Sequence, residues 1–276
     1  MEQVSTSANV RHPAVAGLFY PDDPEALRAV ISQLLTSART NTNLRTPPKA
    51  LIVPHAGYPY SGPVAAAAYS LIEPLHNRIK RVVVVGPSHR HYLRGIALPQ
   101  ATFFATPLGE IPIDKQGRDI LLRRGDVLAS DSPHELEHCL EVQLPFLQTV
   151  LDDFTLVPLV VGDVQAAQVA SVLNDVWGAS DSLVLASSDL SHYLTYDAAR
   201  EIDATTATAI VNRHTDITHH QACGAAGING LLQVALELGL EVTEIARQNS
   251  GDTAGDTKRV VGYGAFAIHE SRHQPS

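Results

Sequence analysis

Residues 81–85 read RVVVV, a run of β-branched side chains with no polar position inside it. A strand with one wet face alternates apolar and polar residues, so an unbroken run belongs in a sheet covered on both faces, the signature of parallel sheets. ALIV at 50–53 and SLVLA at 182–186 share this character, and TLVPLVV at 155–161 reads as another strand. Helical patterns lie between them. Two acids, a proline and a third acid at 22–25 open a helix running to about residue 37, as suits a first turn. Residues 65–72, 165–177, 197–213 and 222–238 follow suit, and 135–151 reads as a helix that Pro145 should kink. Short strands with turns are expected over 97–113, and late strands over 241–246 and 260–268. Strands alternating with helices from end to end predict a single α/β domain over 1–276. Its central sheet, largely parallel or mixed, is flanked by helices.

With 276 residues and 45% hydrophobic side chains, the chain can bury a sizeable core, which excludes collagen-like, disulfide-framed and disordered classes. The 29 acids against 20 bases, a formal charge of −9, argue against nucleic-acid and anionic-membrane partners. No stretch approaches the roughly 18–20 apolar residues that span a bilayer. The opening MEQVSTSANVRHPAVAG lacks a charged segment followed by a long apolar core, so no secretory signal is expected. Two cysteines form no framework, and a reducing cytoplasm is the expected location.

In open α/β sheets ligands bind beyond the carboxyl ends of the strands. Here three buried strands run into polar, turn-forming segments: PHAGY after residue 53, GPSHRH after 85 and SSDLSHY after 186. If the strands are parallel, His55, His89 and His192, with Asp189, reach one rim. Thirteen histidines in the chain give chance placements, but three at equivalent strand ends point to a metal or proton-transfer site. Cys223 precedes Gly224 at a helix N-terminus, where positive partial charge favours thiolate, the metal-binding form. Cys139 reads as a small buried apolar residue. A rival pattern is His134-Glu135-Leu136-Glu137-His138, which matches the His-x-x-Glu-His of inverted zinc peptidases if both histidines share one helix face. Glu137, His138 and Glu141 are otherwise expected to hydrogen-bond around the metal ligands. His214, His219 and His220 read as solvated positions, and His269 and His273 as a polar tail.

The blocks HPAVAGLFYP, VPHAGYPYSG, VVVGPSHRHY, TPLGEIPID, EHCLEVQLPFL, LVPLVVGD, SSDLSHY and CGAAGINGLL, spread over residues 12–268, resemble the ordered motifs of the MEMO family. That resemblance implies a fold similar to class III extradiol dioxygenases, which hold non-haem Fe(II) with two histidines and a carboxylate. Carried over by motif, His55 and His89 are the imidazole ligands and Cys223 takes the third position. Asp189 and His192 line the pocket, with His192 resembling the dioxygenase acid/base. A cysteine where a carboxylate would stand means that ring cleavage does not follow from the resemblance.

Two imidazoles with a carboxylate suit Fe(II), and a thiolate makes Cu and Zn competitive, so iron is expected first, then copper, then zinc. Two functions follow. One is a mononuclear metalloprotein with redox or dioxygenase-like activity on a small molecule. The other is a non-enzymatic module that binds a peptide or small ligand in the same pocket, with Tyr58, Tyr60 and Arg90 as recognition residues.

Overall fold

The computed structural model describes residues 9–38, 46–253 and 256–271. In chain order the elements are β1 (Val10–Arg11), α1 (Pro24–Ala38), β2 (Ala50–Val53), α2 (Tyr58–Tyr69), β3 (Arg81–Pro87), β4 (Ile96–Leu98), β5 (Phe103–Thr106) and β6 (Gly109–Pro112). Then come α3 (Lys115–Leu122), β7 (Val127–Ala129), α4 (Ser132–Glu135), α5 (Leu144–Val150), β8 (Thr155–Val161), α6 (Ala166–Val176) and β9 (Ser182–Ser187). The chain continues with β10 (His192–Leu194), α7 (Tyr196–Val211), α8 (Ala225–Glu237), β11 (Leu240–Asn249), α9 (Ser250–Thr253) and β12 (Val260–Glu270).

The main sheet runs β10-β12-β2-β9-β3-β8-β4-β7, with β11 pairing β12. Its centre, β2-β9-β3-β8, is parallel throughout. Antiparallel pairings of β12 on β2 and of β4 on β8 make the whole mixed. A separate three-stranded sheet joins β1, β5 and β6.

The expected double burial is visible residue by residue. Leu51, Val53, Val82, Val84, Leu183 and Leu185 face one core with α1, α2 and α5. Their neighbours Ala50, Ile52, Val83, Val85, Val184 and Ala186 face a second core with α6, α7 and α8. Successive strand side chains point to opposite faces, so one continuous apolar run feeds both layers.

Three expected elements differ in the structure. Helix α2 starts at Tyr58 rather than residue 65, because Pro59 stands in its first turn, where a missing N–H leaves no bond unmade. The helix expected over 135–151 is broken. Helix α4 stops at Glu135, a turn and a 3₁₀ segment, Glu141–Gln143, intervene, and Pro145 starts α5 instead of kinking a longer helix. His269 is not in a polar tail: it is buried in β12 opposite Glu241, with ring nitrogens bonded to Thr46 and Thr243. His273 lies outside the described residues. Among the described residues no helix is long and apolar enough to cross a membrane.

Candidate metal centre

Strand β9 lies between β2 and β3, and all three run the same way, with Val53 opposite Ser187 and Val85 opposite Ala186. Their carboxyl ends therefore open on one edge, carrying His55, Asp189 and His89 in turn. The broken segment after α4 returns to this edge with Glu137 and His138. Cys223 arrives from the residue pair preceding α8.

His55 is 1% exposed. Its backbone N–H donates to Asp189 Oδ1 at 2.7 Å, and its ring Nδ1 lies 2.9 Å from Ser187 Oγ. The Ser187 hydroxyl gives its own proton to the Cys139 carbonyl at 2.7 Å and also accepts from Gln143 Nε2 at 2.9 Å. Ser187 Oγ can then only accept from His55, so the His55 proton sits on Nδ1 and the Nε2 lone pair faces Cys223 Sγ at 3.3 Å.

His89 reaches the same state by another route. Its Nδ1 meets Glu137 Oε1 at 2.9 Å and its backbone N–H donates to Glu137 Oε2 at 2.6 Å. Burial pushes the Glu137 carboxyl up, but the His89 hydrogen bonds and charge, with the Cys139 amide, outweigh it and hold the group at about 2. An ionised carboxylate only accepts, so His89 donates from Nδ1, which leaves Nε2 as its ligand atom. A carboxylate behind an imidazole is a recurrent way of orienting a metal ligand.

His138 is the third imidazole at this edge. Its ring centroid is 5.5 Å from that of His55 and 4.9 Å from that of His89, and Phe19 covers it at 4.9 Å. A donor nitrogen from each of His55, His89 and His138 lies within 4.8 Å of the other two. Sequence reasoning placed His138 behind the ligands; the structure places it among them. Burial, with neighbouring His89, lowers His55 to about 3; burial, with His55, lowers His138 to about 4. His55 and His138 are therefore neutral at neutral pH and do not repel each other through bound protons. His138 Nδ1 is buried and makes no hydrogen bond.

Cys223 joins one of these rings rather than all. Its Sγ is 3.3 Å from His55 Nε2, and its backbone N–H donates to the Asp189 carbonyl at 3.2 Å. The thiolate expected at a helix N-terminus is not the resting form. Burial, together with the nearby Asp189 charge, pushes the thiol up to about 12. The Gly224 N–H donates to Ser188 Oγ at 2.9 Å, and its pull on the sulfur is too weak to offset burial. An arriving cation would release that proton.

The remaining expectations divide. Asp189 is buried and anchors the His55 backbone, and burial raises its carboxyl. His192 sits half-buried on β10, its ring edge-on to Tyr193 at 5.8 Å, and no hydrogen bond among the described residues joins it to the three imidazoles. Glu141 is not at the rings: its carboxylate, fully buried, bonds Arg11, the Ala14 and Val15 amides and the Tyr20 hydroxyl. The peptidase pattern dissolves because α4 ends at Glu135. His134 turns away to bond the Ala97 carbonyl at 3.1 Å, and only His138 reaches the site. Tyr58 is buried with its hydroxyl on the Val142 carbonyl, whereas Tyr60 and Arg90 are exposed beside the edge. Cys139, expected to be buried, is so, and with His89 and Glu137 it forms a second group of donors within 4.8 Å.

Imidazole nitrogens with a nearby thiol are a borderline-to-soft donor set, suited to first-row transition metals and poorly suited to Mg²⁺ or Ca²⁺. Two imidazoles oriented from behind and a third whose donor nitrogen lies within 4.8 Å of theirs fit such an ion.

Comparison with known proteins agrees with the motifs. The family model described as Memo-like protein matches residues 11–267. A MEMO1 family protein of Aquifex aeolicus is 35% identical over 269 residues, covering 92% of this chain and 97% of the relative. Those of Thermotoga neapolitana and Ignicoccus hospitalis are 33% and 36% identical, covering 92% and 93% of this chain and 98% and 97% of theirs. A family match along nearly the whole chain, joined by relatives of this identity along nearly their whole length, means that the chain belongs to the Memo-like protein family.

Proposed function

We propose that this chain is a mononuclear metal protein, with iron as the resident ion and copper and zinc as competitors. His55 and His89 hold the ion; Cys223, placed as third ligand by family resemblance, and His138, placed by geometry, are the adjoining donors. The observation that carries this reading is the pair of imidazoles oriented from behind through Nδ1, His55 by Ser187 and His89 by Glu137, with a donor nitrogen of His138 within 4.8 Å of theirs.

Bound iron would supply redox and Lewis-acid chemistry toward a small-molecule substrate. The chain's own residues then divide the labour. His192, half-buried at the same edge, moves a proton to or from the substrate. Asp189 holds the His55 backbone and, with its raised carboxyl, sets the charge beside it. Phe19 shields the His138 side from water.

Purification without oxygen, followed by elemental analysis, tests the reading. About one iron per chain is expected, falling sharply in His55→Ala and in Cys223→Ser. Metal-free wild-type protein, or unchanged iron in both variants, would overturn it. It would leave a peptide- or ligand-binding pocket, flanked by exposed Tyr60 and Arg90, as the better account.

A further inference from the structure

The segment that carries Glu137 and His138 has no regular structure of its own: α4 ends at Glu135, and the next hydrogen-bonded element is the 3₁₀ turn Glu141–Gln143. Something other than a helix must fix it. Arg11, 7% exposed, lies against its back. Arg11 Nε donates to the His134 carbonyl at 3.0 Å and Nη2 to the Glu137 carbonyl at 2.5 Å, while Nη1 pairs with the Glu141 carboxylate. One guanidinium thus clamps both ends of the turn whose middle faces the imidazoles.

Glu141 completes the bracket from the other side. It accepts from the Ala14 amide at 2.7 Å, the Val15 amide at 3.0 Å and the Tyr20 hydroxyl at 2.6 Å. Every partner belongs to residues 11–20, the strap that ends by laying Phe19 on the His138 ring at 4.9 Å. The ion pair therefore fixes two sides of His138 at once: its backbone through Arg11 and its covering ring through Glu141.

We propose that Arg11 and Glu141 are positioning residues for the metal centre, acting through the Glu137–His138 turn and the Phe19 strap. This inference rests on the metal reading above. Buried ion pairs are weak evidence for stability, since packed apolar pairs of similar volume replace them without loss; their better-attested use is to fix one arrangement among several. A forked cation is the side chain suited to hold two carbonyls and a carboxylate in one plane; lysine, a point charge, is not.

The test compares wild type with Arg11→Met/Glu141→Leu, which replaces the pair by apolar side chains, and with Arg11→Lys, which keeps the charge and loses the fork. Fold is monitored by thermal midpoint, affinity by Co²⁺ competition against a chelator, and geometry by the visible ligand-field spectrum of the Co²⁺ protein. Variants that stay folded are expected to bind Co²⁺ about 10–100-fold more weakly, the range seen when groups supporting ligands are removed, and to show a shifted spectrum. Arg11→Lys should fall between wild type and the double variant. A purely structural role would lower the midpoint and leave both the spectrum and the affinity of the folded protein unchanged. That result in Arg11→Lys, the mildest change, overturns the inference even if the double variant does not fold. Failure of the wild-type chain to take up Co²⁺ or iron would instead overturn the metal reading itself.

Discussion

Ser187 does for His55 what Glu137 does for His89, but with an uncharged oxygen whose direction is set by a third residue. The difference is testable. Ser187→Ala removes the acceptor and frees the ring to turn, while Glu137→Gln keeps an acceptor and loses the charge. Both should weaken metal binding, each within about 10–100-fold, as read by chelator competition. Acid should act on the metal-free protein in a definite sense. His55, His134 and His138 have folded-state values near 3 or 4, below the ordinary 6.5, chiefly through burial. Between those limits the unfolded chain binds more protons, so stability is complete above pH 6.5 and is lost as pH falls. Glu137, at about 2, adds a loss in the same direction below its ordinary 4.5, while raised Asp189 opposes both. The urea midpoint of metal-free protein should therefore drop between pH 7 and pH 4, and His134→Asn, outside the metal site, should shallow that slope. At this scale the sequence revealed His55 and His89 because each follows a strand of unmistakable composition. His138 was hidden because its five-residue surroundings matched a helical motif, and only Arg11, more than a hundred residues away, shows why no helix forms there.

Among the elements, the start of α8 is tightly packed against the end of β9. A Cβ on Gly224 would stand 2.7 Å from both the Ser187 carbonyl oxygen and Ser188 Cβ, the end of β9. Gly224→Ala must push helix and strand end apart. Overpacking of this kind costs about 1–3 kcal/mol, measurable by urea titration. Because Cys223 precedes it and the displaced Ser187 backbone also carries the Oγ that meets His55, metal affinity should fall together with stability. The strands were legible because burial on both faces demands continuous apolar runs. The helices were less so, and one proline explains an error: Pro145 was expected to kink a long helix, yet it stands in the first turn of a shorter one, where it is harmless. The C-terminal strand was read short because Glu270 and His269 are polar, although the pairing with β11 continues through both.

For the molecule as a whole, the metal reading links occupancy to stability. An ion at 100 times its dissociation constant stabilises a folded protein by about 2.7 kcal/mol. For a domain of 276 residues that raises the thermal midpoint by several degrees, at about 2 °C per kcal/mol. Calorimetry with and without a chelator should show that shift in wild type and lose it in His55→Ala. The order of strands carries a further consequence. The two imidazole ligands leave β2 and β3, early in the chain, but β9, made some hundred residues later, is wedged between those strands, and Cys223 follows later still. A partly synthesised chain thus holds both histidines and no pocket to put them in. On the metal reading, the full set of donors comes together only after the chain has been made past residue 223, so loading follows synthesis instead of guiding it.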